Sequence, residues 1–516
     1  TVRGVRISEP NGVSRMLLLA QFANTPPLIK TQNSSEQVQV RTLYKSKSMT
    51  MQTIFEGNAV IVTCPYSTGS CLALELQERG YQVICVWPKG LSSSMKQHVP
   101  VEVAKELNYA AVVEEADTLI ETVRLIKDLK TKNNWDIVGC CCGGDAGVDL
   151  ADALSEELGL PTNGTAVQNR RDKKVQQDLV RASGLRSVRQ ASGKCFQDVQ
   201  HFLETEQYPL IVKPLDSAGS HGVKLCRSYT EAKVHVLTLL GSEDVNGGMI
   251  EDILCQEFLV GKEYIVDQVS QNGVHKTTMV WVYEKKPVNG ADFVYFSDTP
   301  IDSESAEAAE LIPYARAVLD AIGLKHGASH SEIILTQDGP CLVEVNCRVQ
   351  GGNGIWRPIC KALTGGYDQV SAAADACIDA GAFDELPDKH PSPMLAAGRV
   401  VELMSFHEGI VKATPGFDLI RLLPSYVHLE TNIKCGSKVV PTVDIMTECG
   451  SVVLVNSDPN ILARDIAIIR RLETSHSMFE LESDPLDEWS KKRQQFLLKT
   501  SSLDFTDIID RTQRRS

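Results

Sequence analysis

Glu332 and Glu344 flank an Asp338-Gly339 turn, and Asn346 and Arg348 follow Glu344 at alternate positions. The Asp-Gly pair predicts a tight antiparallel hairpin, in which Glu332 and Glu344 can face each other across the ladder. Alternation along a strand then puts Glu344, Asn346 and Arg348 on one face. Two carboxylates, an amide oxygen and a guanidinium on one face suit a magnesium ion held together with nucleotide phosphates. The plainer alternative is a salt-bridged pair of exposed strands. It is disfavoured because two opposed carboxylates repel unless a cation sits between them.

Two earlier stretches add to this. Tyr208-Pro209-Leu210-Ile211-Val212 is an apolar run that delivers Lys213, and a turn of small residues from Ser217 to Gly222 follows. An ammonium beside bare backbone N–H groups suits phosphate oxygens. The segment is not a Walker A loop, which needs Gly-Lys-Ser/Thr opening a helix. Taken alone, it reads nearly as well as a hairpin with a solvated lysine. Cys255 to Asp267 reads as a strand, a turn at Gly261 and a second strand. The backbone of such a hinge can hydrogen-bond adenine, and Glu263 can hold ribose hydroxyls. An ordinary hairpin with solvated acids explains that stretch well when it stands alone.

The elements that position these groups show a change of pattern along the chain. Ala59-Val60-Ile61-Val62, a helical stretch from Leu72 to Arg79 and the run Tyr81 to Trp87 make a β-α-β unit, which requires parallel strands. A helix over Leu119 to Leu129, a strand over Trp135 to Cys140, and a Gly143-Gly144 turn into a helix over Val148 to Leu158 continue it. Pro161-Thr162-Asn163-Gly164 stacks turn formers and marks a junction. From Ala396 the pattern becomes strand-rich (Arg399 to Met404, Ile410 to Ala413, Val427 to Thr431, Val452 to Val455), followed by a helix over Asn460 to Leu472.

Composition sets outer limits. At 516 residues the chain is too long for a single core. A net charge of -14, from 66 acidic and 52 basic residues, argues against non-specific nucleic-acid binding. No apolar run approaches the roughly 20 residues needed to span a bilayer. The 15 cysteines form no framework and no set at metal spacing, and read as free thiols in a reducing compartment. The first fifty residues carry seven basic side chains against two acidic ones. They read as a transit segment, an unstructured arm or appended sequence.

Taken in order, Lys173, Lys213 with its loop, Glu257 to Glu263, Glu332, and Glu344-Val345-Asn346-Cys347-Arg348 resemble the ATP-grasp superfamily. Gly327-Ala328-Ser329-His330-Ser331-Glu332 and Glu344 to Gly352 look closest to its L-amino-acid ligase (bacilysin-synthetase-like) and carnosine-synthase branch. The resemblance implies an α/β fold, α+β in the ATP-grasp part. Its expected parts are an arm over 1–57, a Rossmann-like pre-ATP-grasp domain over 58–165, and a two-lobed ATP-grasp domain over 166–395 with its lid lobe at about 190–265. A small β-rich C-terminal domain over 396–483 and a helical or polar tail over 484–516 complete it.

The same resemblance implies roles. Lys173 and Lys213 bind ATP phosphates under a lid containing Ser217, Gly219, Ser220 and Gly222. Gln256, Glu257, Phe258 and Leu259 line adenine, and Glu263 binds ribose. Glu332, Glu344 and Asn346 hold Mg²⁺, for which Mn²⁺ can substitute. Arg348 and Lys213 are catalytic, and Arg348, Gly351, Gly352 and Trp356 meet the substrate. Arg357, Trp281, Tyr283 and Lys285 are further specificity candidates.

The implied reaction joins a small-molecule carboxylate to an amine through an acyl-phosphate, releasing ADP and phosphate, with amino-acid-type substrates. The alternatives are a biotin-carboxylase-like carboxylation and a nucleotide-binding protein without catalysis. No nucleic-acid or membrane partner is expected. A homodimer fits the resemblance, and so does a cytoplasmic location, or a plastid or other organelle if the basic arm is a transit segment. Two positions depart from the pattern: Cys347, where relatives usually carry proline, and His221 in the lid.

Overall fold

The computed structural model describes residues 57–167, 170–215, 222–243 and 249–482. The basic arm, the C-terminal tail and the lid residues Ser217, Gly219, Ser220 and His221 lie outside the described residues.

Asn58–Thr63 (β1), Gln82–Trp87 (β2), Ala111–Glu114 (β3) and Asp136–Cys142 (β4) form a parallel sheet in the order β3-β2-β1-β4. Ala59 to Val62 are fully buried, because both faces of β1 are covered, and so the strand reads as an unbroken apolar run. Val60 and Val62 pack toward the helix Thr68–Glu78, and Ala59 and Ile61 toward Leu119–Asn133 and Val148–Leu158. Thr118 caps the second of these helices by accepting from the Glu121 amide, and Gly159, at φ 68°, closes the third.

Gln190–Gly193 (β5), Leu210–Pro214 (β6), Lys224–Cys226 (β7) and Ile253–Glu257 (β8) make an antiparallel sheet in the order β5-β8-β6-β7. The helices Phe196–Thr205 and Tyr229–Leu239 pack on it around Val199, Leu203, Val212 and Val236.

Gly261–Gln271 (β9), Val274–Val288 (β10), Ala291–Pro300 (β11), Gly327–Thr336 (β12) and Gly339–Asn346 (β13) begin a larger sheet. After them come Ala397–Leu403 (β14), Gly409–Ala413 (β15), Tyr426–Glu430 (β16), Lys438–Val439 (β17), Gly450–Asn456 (β18) and Glu480–Leu481 (β19). Eight of these strands form one sheet, in the order β13-β12-β9-β10-β11-β14-β18-β16. Of the strands after residue 396, β14, β18 and β16 extend the central sheet, joined through Ser297 opposite Val401 and Asp298 opposite Val400, while β17, β15 and β19 form a separate small sheet. They keep a core of their own around Leu403, Val411, Phe417, Val452 and Ile469. On the central sheet, Tyr264, Val266, Val280 and Ile333 point toward the helix Ala306–Ala321. On the opposite face, Ile265, Trp281 and Ala328 meet the helix Gln369–Ile378 and the parallel sheet.

The expectation that every cysteine is a free thiol needs correction. Cys141 on β4 is disulfide-bonded to Cys377 in the helix Gln369–Ile378, and the other 13 cysteines are free. The partners are 236 residues apart, and no local pattern signals a pairing at that range. A crosslink closing so long a loop restricts the unfolded chain strongly, by about 2–4 kcal/mol in typical cases. Cys377→Ser, or treatment with dithiothreitol, is expected to lower the thermal unfolding midpoint by several degrees. Scanning calorimetry of oxidised and reduced protein checks this, and coincident midpoints would rule out a stabilising role for the bridge.

Candidate active site

The hairpin forms, but its two-residue turn is Gln337-Asp338, with Thr336 opposite Gly339, and a bulge between Glu332 and Ile333 shifts the pairing beyond it. Glu332 pairs directly with Glu344, and His330 with Asn346, so the two carboxylates share one face of the central sheet. β13 is the edge of that sheet, and the helix Lys173–Ala182 covers it. Gln176 uses its amide on both sides of Val345, accepting from the Val345 N–H at 3.0 Å and donating to its carbonyl at 2.7 Å. Gln177 donates to the Leu342 carbonyl at 2.8 Å. These side chains satisfy an open strand edge and fix the helix start, where Asp172 is the N-cap. Lys173 is thereby held with its Nζ 2.9 Å from Glu344 Oε2.

Lys213, on β6 of the four-stranded antiparallel sheet, reaches the same place. It is 8% exposed. Burial, with Lys173 nearby, pushes its ammonium down to about 8, against the pull of Glu344, Glu332 and Glu263. Burial works to raise Glu344 as well, but Lys173 and Lys213 hold it down at about 2, so it is ionised at neutral pH. The Asn346 amide donates to Glu344 Oε1 at 3.3 Å. Among the described residues, no three His, Cys, Asp or Glu side chains gather as a metal site. The donors here are two carboxylates and an amide, all hard oxygen ligands. As a donor set they fit a magnesium ion.

Glu263 lies on this face too, on β9, where both its oxygens sit 2.8 Å from Lys285 Nζ. Burial opposes charge on Lys285, but Glu263 outweighs it and raises its affinity for the proton. Lys285 also lies 4.2 Å from the Tyr295 ring centroid and 5.2 Å from that of Tyr283. A buried chain backs Glu332. Trp281 Nε1–H donates to Asp267 at 2.9 Å, and His330 Nδ1 lies 2.9 Å from the other oxygen of Asp267. His330 Nε2 is 3.6 Å from Glu332 Oε1. Burial alone would lower the imidazole; Asp267 and Glu332 reverse this and raise it to about 9.

Arg348 meets a residue that the motif reading passed over. Its Nε–H points to both oxygens of Asp145 at 3.0 Å, Nη2 is 3.0 Å from Asp145 Oδ2, and Nη1 donates to the Val349 carbonyl at 3.0 Å. Asp145 follows the Gly143-Gly144 turn at the carboxyl end of β4, the end of a parallel strand where ligands gather. That position was the available signal.

Beyond Arg348, Gly352 takes a φ of 70°, which suits glycine. The Gly351 carbonyl accepts from Thr68 at 3.0 Å and from Trp356 Nε1 at 2.8 Å. Trp356 was expected at the substrate. It is instead 2% exposed and part of the core, where it buttresses the Gly351 turn from beneath. Arg357 is likewise engaged, by Asp368 at 2.8 Å and Glu75 at 3.1 Å.

The hinge residues divide. Glu257 pairs with Arg189 at 2.7 Å, and Gln256 donates to Gln190 at 2.8 Å. Leu259 packs with Val188 and Cys341, and Phe258 lies 6.4 Å from Phe293. Of the lid residues, only Gly222 is described, at φ 70° beside the Pro214 ring.

Residues 206–356, which span Lys213, Glu332, Glu344, Asn346 and Arg348, match the family model described as ATP-grasp domain. The chain carries an ATP-grasp domain. Among curated proteins, it is 26% identical over 343 residues to dapdiamide A synthase of Enterobacter agglomerans, covering 66% of this chain and 80% of that protein. It is 28% identical over 257 residues to alanine–anticapsin ligase of Bacillus subtilis, covering 46% and 53%. Among solved structures, the crystal structure of an L-amino acid ligase from Bacillus licheniformis superposes with a TM-score of 0.63 at 15% identity. That match covers 83% of this chain and 99% of the other, and is a likeness of fold. Among the described residues no helix is long and apolar enough to cross a membrane.

Proposed function

We propose that this ATP-grasp protein is an ATP-dependent ligase that joins an amino-acid-type carboxylate to an amine through an acyl-phosphate. The supporting observation is the convergence of Lys173, Lys213, Glu332, Glu344 and Asn346 on one face, with Arg348 two residues past the end of β13, in the bend where strand alternation no longer applies. A carboxylate is a poor acyl donor because its leaving group would be oxide. Phosphorylation replaces that with phosphate, and an amine can then attack through a tetrahedral intermediate.

In this reading Lys173 and Lys213 neutralise ATP phosphates, and Arg348 faces the charge that develops on the transferred phosphoryl group. Glu332, Glu344 and Asn346 would hold a magnesium ion, which would supply positive charge against that of the nucleotide phosphates. His330 Nε2 lies 3.6 Å from Glu332 Oε1 and backs that carboxylate from the buried side.

The test is product analysis. Pooled amino acids with ATP and Mg²⁺ should yield ADP, orthophosphate and a condensed product by mass spectrometry. AMP and pyrophosphate would show an adenylating mechanism. Turnover that requires biotin and bicarbonate would favour carboxylation.

A further inference from the structure

Arg348 does not orient itself. Of the five N–H groups of a guanidinium, the contacts to Asp145 and Val349 engage three, leaving one on Nη1 and one on Nη2. A carboxylate gripping the Nε–Nη2 side fixes the plane of the group and decides which N–H pair faces outward. Asp145 comes from the N-terminal parallel sheet, 203 residues from Arg348 in sequence, so the sheet and the nucleotide-binding hairpin meet at this pair.

The turn that carries Asp145 is built to hold still. Gly143 N–H donates to the Thr63 carbonyl at 2.8 Å, and Thr63 Oγ1 donates to the Gly147 carbonyl at 2.9 Å. A side chain at Gly144 would lie 2.4 Å from the Tyr66 ring, and one at Gly69 would lie 2.2 Å from the Gly143 carbonyl oxygen. Backbone therefore packs directly on backbone around the turn. Asp145 also heads the turn leading into the helix Val148–Leu158, where the helix dipole favours a negative charge.

We propose that Asp145 is the positioning residue for Arg348, setting its guanidinium for phosphoryl transfer without touching either substrate. The parallel sheet then supplies half of the catalytic geometry, and turnover depends on its seating against the hairpin. The turnover part of this proposal rests on the ligase reading above, whereas the clamp itself can be tested without any substrate.

Asp145→Asn keeps the shape and removes the charge. It is expected to lower kcat about 10- to 100-fold, with KM for ATP within about threefold, because Lys173 and Lys213 are untouched. Asp145→Glu, which restores the charge, should recover part of the loss. The second readout is labelling of Arg348 by phenylglyoxal, followed by peptide mass spectrometry. Labelling should rise several-fold in Asp145→Asn and return toward the wild-type rate in Asp145→Glu. Unfolding midpoints confirm that both variants are folded, and Asp145→Ser replaces any variant that is not. Wild-type labelling in folded Asp145→Asn overturns the proposal, and so does wild-type kcat in that variant. If the wild-type protein proves inactive with every amino acid, the ligase reading fails, and labelling alone still decides the clamp.

Discussion

Glu344→Gln is expected to abolish turnover, at least about a thousand-fold in kcat or roughly 4 kcal/mol of transition-state stabilisation, in a protein that remains folded. The change is nearly isosteric, so the hairpin keeps its register. It removes one of the two carboxylates opposed across β12 and β13, and with it half of the anionic charge available to a magnesium ion. The stability terms oppose each other. Lys173 loses the carboxylate 2.9 Å away, while Glu332 loses a like charge directly across the ladder. Each effect is worth about 1 kcal/mol or less at a partly exposed pair, so the unfolding midpoint should move by no more than a few degrees. A magnesium titration at saturating ATP separates lost metal affinity from lost chemistry. If the folded variant turns over near the wild-type rate, the two-carboxylate assignment is wrong.

The parts of this site that could be read from sequence are those fixed by local chemistry. The Asp338-Gly339 pair marks the hairpin but not its register: a turn at those two residues would set Glu332 opposite Val345, and it is the observed turn at Gln337-Asp338 with a bulge between Glu332 and Ile333 that brings Glu344 there. His330 was equally accessible, since it lies two residues before Glu332 and so shares its face. What sequence could not give are contacts that cross between elements. Asp145 reaches Arg348, Lys285 captures Glu263, and Asp267 links Trp281 to His330 only once the sheets are assembled. Trp356 shows the same limit from the other side. A tryptophan after a glycine turn suits a pocket wall or a buttress equally, and only its burial distinguishes them.

The fold divides in the same way. The β-α-β pattern from Asn58 identifies a parallel sheet, because unbroken apolar runs demand cover on both faces. The helix Val148–Leu158 ends where its glycine predicts. The strands β14, β16 and β18 are legible as strands, but their membership of the central sheet is not. It depends on two residue pairs between β11 and β14, with no turn between them to announce the pairing. Cys141 and Cys377 belong to the same class of long-range partners.

Arg348→Lys is expected to lower kcat about 100- to 1000-fold while leaving ATP affinity within a few-fold. Lysine keeps the charge, so the electrostatic attraction to Asp145 survives, and the exposed part of that pair limits the stability change to about 1 kcal/mol. What lysine cannot keep is the fork. Arg348 contacts Asp145 through Nε and Nη2 and still has an N–H on each terminal nitrogen for another anion. A single ammonium cannot span both partners at these positions. ATP binding draws on Lys173 and Lys213, which the substitution leaves alone, so the loss should fall on the chemical step. Measuring kcat and KM for ATP separately decides the point. A rise in KM with kcat unchanged would make Arg348 a ground-state ligand of the nucleotide. A fall in kcat alone would place its contribution in the transition state, where charge moves onto the transferred phosphoryl group and a preset guanidinium needs no reorganisation to meet it.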